Sequence, residues 1–213
     1  MSRLLTLLSV VLVGAALVVV VGNLPTSGGG TGQPAHAQGR TTQARTTQAR
    51  EPVTGEPATG GVKSSEPVWG PAPPRSLIVG SLGIAAPVVP LETSGNTLYP
   101  PDDATKVGWW RDGAMPGAVR GSAVITGHTV SDGDGVFDHL AGLRTGDRVR
   151  LVTEEGVLRY VVRSDATYRK NTLARRAPQL FSQSSPGRLV LVTCADWNGE
   201  VYLSNHVVIA TPA

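Results

Sequence analysis

The sequence predicts a mainly β domain, a closed or nearly closed β-barrel with one or two short helices, over residues 76–213. Short runs rich in Val, Ile and Leu recur through this segment and are separated by Gly and Pro, a pattern typical of β-strands joined by tight turns. The chain has 26 Gly and 16 Pro among its 213 residues, which leaves little room for continuous helix. Closure of the sheet into a barrel removes the exposed edges that many short strands would otherwise present.

Turn signals divide the predicted domain into its elements. Glu155-Gly156 predicts a hairpin between LVTE and VLRYVV, and Thr145-Gly146-Asp147 predicts a turn. Only two stretches have a helical pattern: Val136 to Leu143, whose apolar residues share one side, and Ala174 to Phe181, which Pro178 interrupts. The remaining segments have the strand pattern and are, in chain order, SLIVGSLGIAAPVVPLE, GSAVITGHTV, DRVRLVTEEG, VLRYVVRSDATY, GRLVLVTCAD and VYLSNHVVIAT.

An uncharged apolar run, LLTLLSVVLVGAALVVVVG, extends from Leu4 to Gly22. Its length of about 19 residues is close to what a helix needs to cross the hydrocarbon of a bilayer. Arg3 precedes it, so we expect a cytoplasmic N-terminus and an extracellular remainder. The alternative is a cleaved signal peptide that ends near Ala35-His36-Ala37, farther from the run than such a site normally lies. Residues 1–22 are therefore predicted to be an anchor or signal segment of a single-pass cell-membrane protein.

Residues 23–75 are predicted to be a flexible linker. They are rich in Gly, Pro, Thr, Ser and Gln and have no apolar periodicity that could offset the entropy lost on ordering. A short tandem repeat, RTTQARTTQAR, fits a polar spacer. All ten aromatic residues lie at or after Trp69, so the first 68 residues cannot build an ordinary core. The linker is expected to hold the folded domain, residues 76–213, away from the membrane.

Composition and motifs exclude several classes of function. The net charge of +3 is too small and too dispersed for the basic surface that nucleic-acid binding requires. A single cysteine excludes an internal disulfide and any site built from several thiolates. The acidic loop Ser131 to Gly135 lacks the ligand spacing of a calcium loop, and no Gly-rich phosphate loop is present. We therefore expect no nucleic-acid partner, no metal site and no cofactor.

Two residues at predicted strand ends can carry chemistry. Cys194 ends the apolar strand that contains Leu189 to Val192 and precedes a polar loop, and His128 follows a strand and a glycine. A nucleophilic thiol needs a neighbour that takes its proton and later protonates a leaving amine, and an imidazole does both near neutral pH. The residues alone leave the alternative open that Cys194 is an inert core residue and His128 is structural.

The segments around these two residues resemble a known family. LVTC, with a strand before it and a Trp/Gly loop after it, resembles the TLxTC signature of sortases, and TGH at Thr126 to His128 resembles their histidine segment. The order of elements is similar to that of the actinobacterial class F sortases. The segments that carry this similarity, across about residues 76–213, are GIAAPVVPL, LYPPDDATKVGWWRDGAMPGAVRGSAVITGH, VFDHLAGLRTGDRV and YLSNHVVIA.

The resemblance implies a sortase-type closed β-barrel of about eight strands and a membrane-tethered cysteine transpeptidase. Such enzymes cut an LPxTG-type sorting signal between Thr and Gly and pass the acyl group to an amine of peptidoglycan or its precursor. The implied partners are surface proteins that bear sorting signals, together with the amine acceptor. A second hypothesis is a catalytically weakened sortase-like module that binds sorting peptides or wall components.

The resemblance also implies roles for individual residues. Cys194 takes the position of the nucleophile and His128 that of the general acid/base, while Thr193 and Asn205 are candidates to orient substrate or to donate to the oxyanion. The family arginine is replaced by Leu203, which cannot donate a hydrogen bond. The other candidates for that missing donor are Arg111, Arg163 and Arg169.

Three tryptophans are candidates for a substrate groove. Trp109 and Trp110 fit either packing against the barrel or the wall of a groove, and Trp197 lies in the loop after Cys194. The sequence does not decide between these interpretations.

Overall fold

The computed structural model describes residues 70–213. The predicted anchor, residues 1–22, and most of the predicted linker, residues 23–75, lie outside the described residues and remain predictions. Between Gly70 and Ala213, no helix is long and apolar enough to cross a membrane.

Eight strands form a closed barrel in the order β1-β2-β3-β4-β7-β8-β6-β5, which confirms the predicted fold class. The pairs β2–β3 and β4–β7 are parallel and the other pairs are antiparallel. The strands are β1 Pro74–Val79, β2 Ile84–Leu91, β3 Val107–Trp110, β4 Ser122–Gly127, β5 Arg148–Thr153, β6 Val157–Arg169, β7 Arg188–Trp197 and β8 Tyr202–Pro212.

The predicted hairpin at Glu155-Gly156 joins β5 to β6. The two strands pair antiparallel up to Val152 opposite Val157. In the turn, the backbone N–H of Thr153 donates to the carbonyl oxygen of Gly156 (2.8 Å), and Gly156 has a φ of +146° that other residues rarely adopt. The turn residues therefore set the register of this pair.

The hydrophobic core has two layers, which explains why β7 is apolar on both of its faces. Leu189 and Leu191 point into the barrel, and Val190 and Val192 lie beneath the helix α1, Lys170–Leu180. The inner face of a strand is the face toward the barrel interior, and its outer face is the face on the side of α1. A strand covered on both faces is a continuous apolar run rather than an alternating one.

The structure corrects both helix predictions. The segment Val136 to Leu143 contains only a 3-10 turn, Leu140–Gly142, although Phe137, Leu140 and Leu143 are fully buried. The Asp138 carboxylate accepts the backbone N–H groups of Val130 and Gly135, at 2.7 and 2.9 Å, and so stabilises a loop instead. An eight-residue segment has little intrinsic helix stability, so these contacts decide its conformation.

The second helix is longer than the sequence predicts. It begins at Lys170, four residues before Ala174, and continues through Pro178 to Leu180. A proline in a helix interior costs about 3 kcal/mol. Burial of Leu173 and Leu180 against the barrel stabilises the helix by about 1.5–3 kcal/mol for each leucine and offsets that cost.

We expect Leu173→Ala to lower the free energy of unfolding by about 2–5 kcal/mol, because it opens a cavity between α1 and the barrel. Chemical denaturation of the purified protein measures this change. The exposed Arg175 of the same helix provides the control, since Arg175→Ala should change stability by no more than about 0.5 kcal/mol. Equal effects of the two substitutions would contradict the assigned packing of α1.

Candidate active site

The parallel pairing of β4 with β7 brings the two candidate catalytic residues to one edge of the barrel. The last residues that pair between these two strands are Thr126 of β4 and Val192 of β7. Continuing this register by two residues sets His128 beside Cys194. Val124 and Val192 belong to the layer beneath α1, so strand alternation puts His128 and Cys194 on the same outer face.

The thiol of Cys194 is buried, with 6% of the residue exposed. Burial raises the pKa of this thiol, because the charged thiolate is poorly solvated there, while the positive charge of Lys170 and a hydrogen bond from Asn205 act in the opposite direction. At neutral pH the group is therefore mainly a thiol. A base is needed to convert it into a nucleophile.

Asn205 lies directly across from Cys194 on β8 and is fully buried. Its Nδ2 donates to the carbonyl oxygen of Thr193 (3.2 Å) and to Cys194 Sγ (3.8 Å). Its Oδ1 has no hydrogen-bond partner within the described part of the chain. The amide thus positions the sulfur and presents an acceptor inside the site.

His128 is half-buried and makes one defined contact through its ring. Its Nε2 lies 2.7 Å from the carbonyl oxygen of Pro101. A carbonyl oxygen only accepts hydrogen bonds, so Nε2 carries a proton, and the neutral ring has its lone pair on Nδ1. This contact leaves Nδ1 as the nitrogen available for acid–base chemistry.

Thr193 points away from Cys194, to the inner face. Its hydroxyl donates to the carbonyl oxygen of Gly127 (2.8 Å) and lies 2.7 Å from the hydroxyl of Thr129. These bonds tie β7 to the residues on either side of His128. The geometry therefore gives Thr193 a positioning role, because its hydroxyl lies on the opposite side of the strand from the sulfur.

None of the three arginine candidates provides a cation at Cys194. Arg111 forms an ion pair with Glu92 (2.7 Å), and Arg163 donates to the hydroxyl of Thr211 (2.8 Å). Arg169 is opposite Ser204 in the sheet, which puts it on the other face from Asn205. Leu203 itself is half-buried and shares the face of Asn205.

Lys170, the first residue of α1, is a site residue that the sequence analysis missed. Its charge lowers the pKa of Cys194, whereas no arginine is among the groups that shift this pKa. The signal that locates Lys170 is the pairing register of β6 with β8. That register is a property of the folded sheet and cannot be read from the local sequence.

The tryptophans fall into two groups. Trp109 lies inside the barrel and Trp110 lies in the layer beneath α1, with 6% and 3% of each residue exposed. Both side chains are therefore packing residues and do not line an open groove. Trp197 is 44% exposed, with its ring centroid 4.8 Å from that of Tyr202, and it remains the groove candidate.

Over residues 70–213, no group of three or more His, Cys, Asp and Glu residues is arranged to hold a metal ion. The groups that act on Cys194 include the Asn205 amide and the Lys170 ammonium, and the β4–β7 register directs the His128 imidazole to the same edge. That set suits acyl transfer through the protein's own side chains.

The family model for the sortase domain matches residues 77–213, which include every element of the site. The chain belongs to the sortase family. Sortase A from Corynebacterium diphtheriae has a similar fold, with a TM-score of 0.51 and 20% identity over 67% of this chain and 61% of that chain. Streptococcus pneumoniae sortase C has a TM-score of 0.51 and 18% identity over 65% of each chain.

These sortase structures show a shared fold, and the chain spans somewhat less than two thirds of their length. No curated protein matches the chain. The family membership supports a cysteine transpeptidase, with Cys194 as the single cysteine of the sequence.

We expect Asn205→Ala to raise the pKa of Cys194, because the variant lacks the donor that stabilises the thiolate. Loss of about 1 kcal/mol of thiolate stabilisation corresponds to about fivefold slower alkylation by iodoacetamide at a pH below that pKa. The exposed Asn96 provides the control, and Asn96→Ala should not change the rate. An unchanged rate in Asn205→Ala would show that the amide does not act on the sulfur.

Proposed function

We propose that this protein is a sortase-type cysteine transpeptidase. It cleaves an LPxTG-type sorting signal between Thr and Gly and transfers the acyl group to an amine of the cell wall. The observation that carries the proposal is the parallel register of β4 with β7, which pairs Thr126 with Val192 and so points His128 and Cys194, two residues farther along each chain, to the same place. The buried amide of Asn205 at the sulfur supports it, as does the family membership.

The reaction follows from the groups in place. The thiol proton of Cys194 passes to Nδ1 of His128, and the sulfur adds to the Thr carbonyl to give a tetrahedral oxyanion. Collapse of this intermediate breaks the C–N bond, and the imidazolium returns its proton to the departing Gly nitrogen. An acceptor amine then attacks the thioester and gives its proton to His128, and the thiolate leaves. Return of that proton to sulfur restores the starting state.

We further propose membership of class F, on the sequence motifs that resemble that class. The proposed partners are surface proteins with sorting signals and an amine of peptidoglycan or its precursor. The proposed location is the cell membrane, with residues 1–22 as the anchor and the barrel outside the cell. Protease treatment of intact cells tests the location, because an extracellular barrel is digested while cytoplasmic proteins are protected.

Two observations favour a second candidate, a sortase-like module that binds sorting peptides without cleaving them. Burial raises the pKa of the Cys194 thiol, and Leu203 provides no donor for an oxyanion. Both features reduce the expected rate of acyl transfer. Neither removes the nucleophile or the base, so the transpeptidase is the better-supported function.

Covalent trapping separates the two candidates. We expect the purified full chain to form an adduct on Cys194 with a thiol-reactive analogue of an LPxTG-type peptide, and to cleave the parent peptide. Mass spectrometry of the tryptic digest locates the adduct. Cys194→Ala should form no adduct and retain the fold. Peptide binding without adduct or cleavage in the wild type would instead establish the binding module.

We expect His128→Ala to lose most of the cleavage activity, because no group then accepts the thiol proton or protonates the leaving amine. Alkylation of Cys194 should persist at high pH, where the thiol ionises without a base. His139 is exposed, so His139→Ala provides a matched control and should cleave at the wild-type rate. Cleavage by His128→Ala at that same rate would contradict the acid/base role.

A further inference from the structure

The register of β6 against β8 places Lys170 next to the apolar position of the site. Tyr168 pairs with Asn205 and Arg169 pairs with Ser204. Continuing this register by one residue sets Lys170 opposite Leu203. The strand β6 ends at Arg169, so Lys170 occupies this place as the first residue of α1.

The side chains of this region form rows across three strands on the outer face. Asn205 of β8 pairs with Cys194 of β7 on one side and with Tyr168 of β6 on the other, and these three residues form one row. The Asn205 amide contacts the sulfur. Tyr168 packs on the layer beneath α1, which places the row on the outer face. Leu203 lies two residues along β8 from this row, so strand alternation puts it on the same face. Lys170 follows Tyr168 by two residues, at the point where β6 passes into α1.

The distance from β6 to β7 is within reach of a lysine side chain. Neighbouring strands lie about 4.8 Å apart, so the backbones of β6 and β7 are about 10 Å apart across β8. The flexible four-carbon side chain of a lysine is long enough to bring its ammonium across one intervening strand. Lys170 is also the only cation among the groups that shift the pKa of Cys194.

We propose that Lys170 is the cationic catalytic residue of this site: its ammonium lies beside the carbonyl oxygen that becomes negative when Cys194 attacks. It acts from the start of α1, across the sheet from Leu203, which is apolar. This assignment rests on the proposed transpeptidase function. Arg111 and Arg163 are engaged elsewhere, and Arg169 faces the other side of the sheet.

The chemistry predicts which kinetic constant depends on Lys170. The carbonyl oxygen is nearly neutral in the bound peptide and gains a full negative charge in the tetrahedral intermediate. A cation beside it therefore stabilises the transition state more than the bound substrate. Loss of this charge lowers kcat and leaves KM nearly unchanged.

The test compares Lys170→Met with Arg175→Met in the full chain. Both variants lose one positive charge from α1, but Arg175 is exposed and does not act on Cys194. We expect Lys170→Met to reduce kcat about a hundredfold, with KM nearly unchanged. We expect Lys170→Arg to retain most of the activity, and Lys170→Gln, which keeps a polar side chain, to behave like Lys170→Met. Arg175→Met should match the wild type.

A rescue experiment tests the position of the charge. Leu203→Arg, introduced into Lys170→Met, places a cation on β8 near position 170. The kcat of this double variant should be at least about tenfold higher than that of Lys170→Met, since the stabilisation depends on charge at that place. Failure of both Leu203→Arg and Lys170→Arg to support turnover would overturn the assignment.

A second readout does not depend on peptide cleavage. The pH profile of Cys194 alkylation should move to higher pH in Lys170→Met and stay in place in Arg175→Met, because Lys170, unlike Arg175, is one of the groups that lower the pKa of Cys194. Tyr202 interacts with Cys194 by charge, and the β4–β7 register directs His128 to the same edge; both residues are unchanged in the two variants.

The two proposals fail in distinguishable ways. A wild type that cleaves, together with an unchanged kcat in Lys170→Met, overturns the role of Lys170 and leaves the transpeptidase intact. A wild type that neither cleaves nor forms an adduct overturns the transpeptidase. The alkylation profile then still decides whether Lys170 lies at the sulfur, and an unshifted profile overturns that placement as well.

Discussion

Parallel pairing of β4 with β7 is the constraint on which the site depends. Two parallel strands end at the same edge of a sheet, so residues just beyond or at their ends meet even when they are distant in the chain. The connection between such strands must cross the sheet. In this chain it contains β5, β6 and α1, which complete the barrel and cover its outer face. The same crossover contains Lys170, the residue proposed as the cation of the site.

The two faces of β7 and β8 have separate functions near this edge. On the inner face, the hydroxyl of Thr193 bonds the Gly127 carbonyl, and His206 Nδ1 lies 2.9 Å from the Thr167 hydroxyl. Hydrogen bonds of this kind offset the cost of burying polar groups, and they fix the strand ends relative to one another. The outer face can then hold the sulfur and the Asn205 amide in a defined geometry.

The electrostatics of Cys194 reflect a balance between burial and two stabilising groups. Burial favours the neutral thiol, while the Lys170 charge and the Asn205 donor favour the thiolate. The same low polarity that disfavours the thiolate strengthens the interaction of any cation with an oxyanion formed there. A buried nucleophile and a nearby lysine are therefore consistent parts of one site.

The sequence by itself determined the features that depend on local pattern. Runs of Val, Ile and Leu with Gly and Pro between them specified the strands, and Glu155-Gly156 specified the hairpin. The sequence motifs also marked Cys194 and His128 as the reactive pair, but the predicted strand end at Cys194 is wrong, because β7 continues to Trp197 and pairs with β8 up to Tyr202. These features follow from backbone preferences and from alternation along one strand. They need no knowledge of which strands are neighbours.

The tertiary structure decided everything that depends on register and on neighbours across the sheet. It placed Trp109 and Trp110 in the core, turned the Thr193 hydroxyl away from the sulfur, and replaced the predicted helix at 136–143 by a loop. It also paired β6 with β8 up to Arg169 opposite Ser204, so that α1 begins at Lys170 beside this edge. The physical reason is that a slip of one residue in strand pairing moves every side chain to the other face. Such a choice is settled by packing and hydrogen bonds over the whole barrel, which no local segment of the sequence contains.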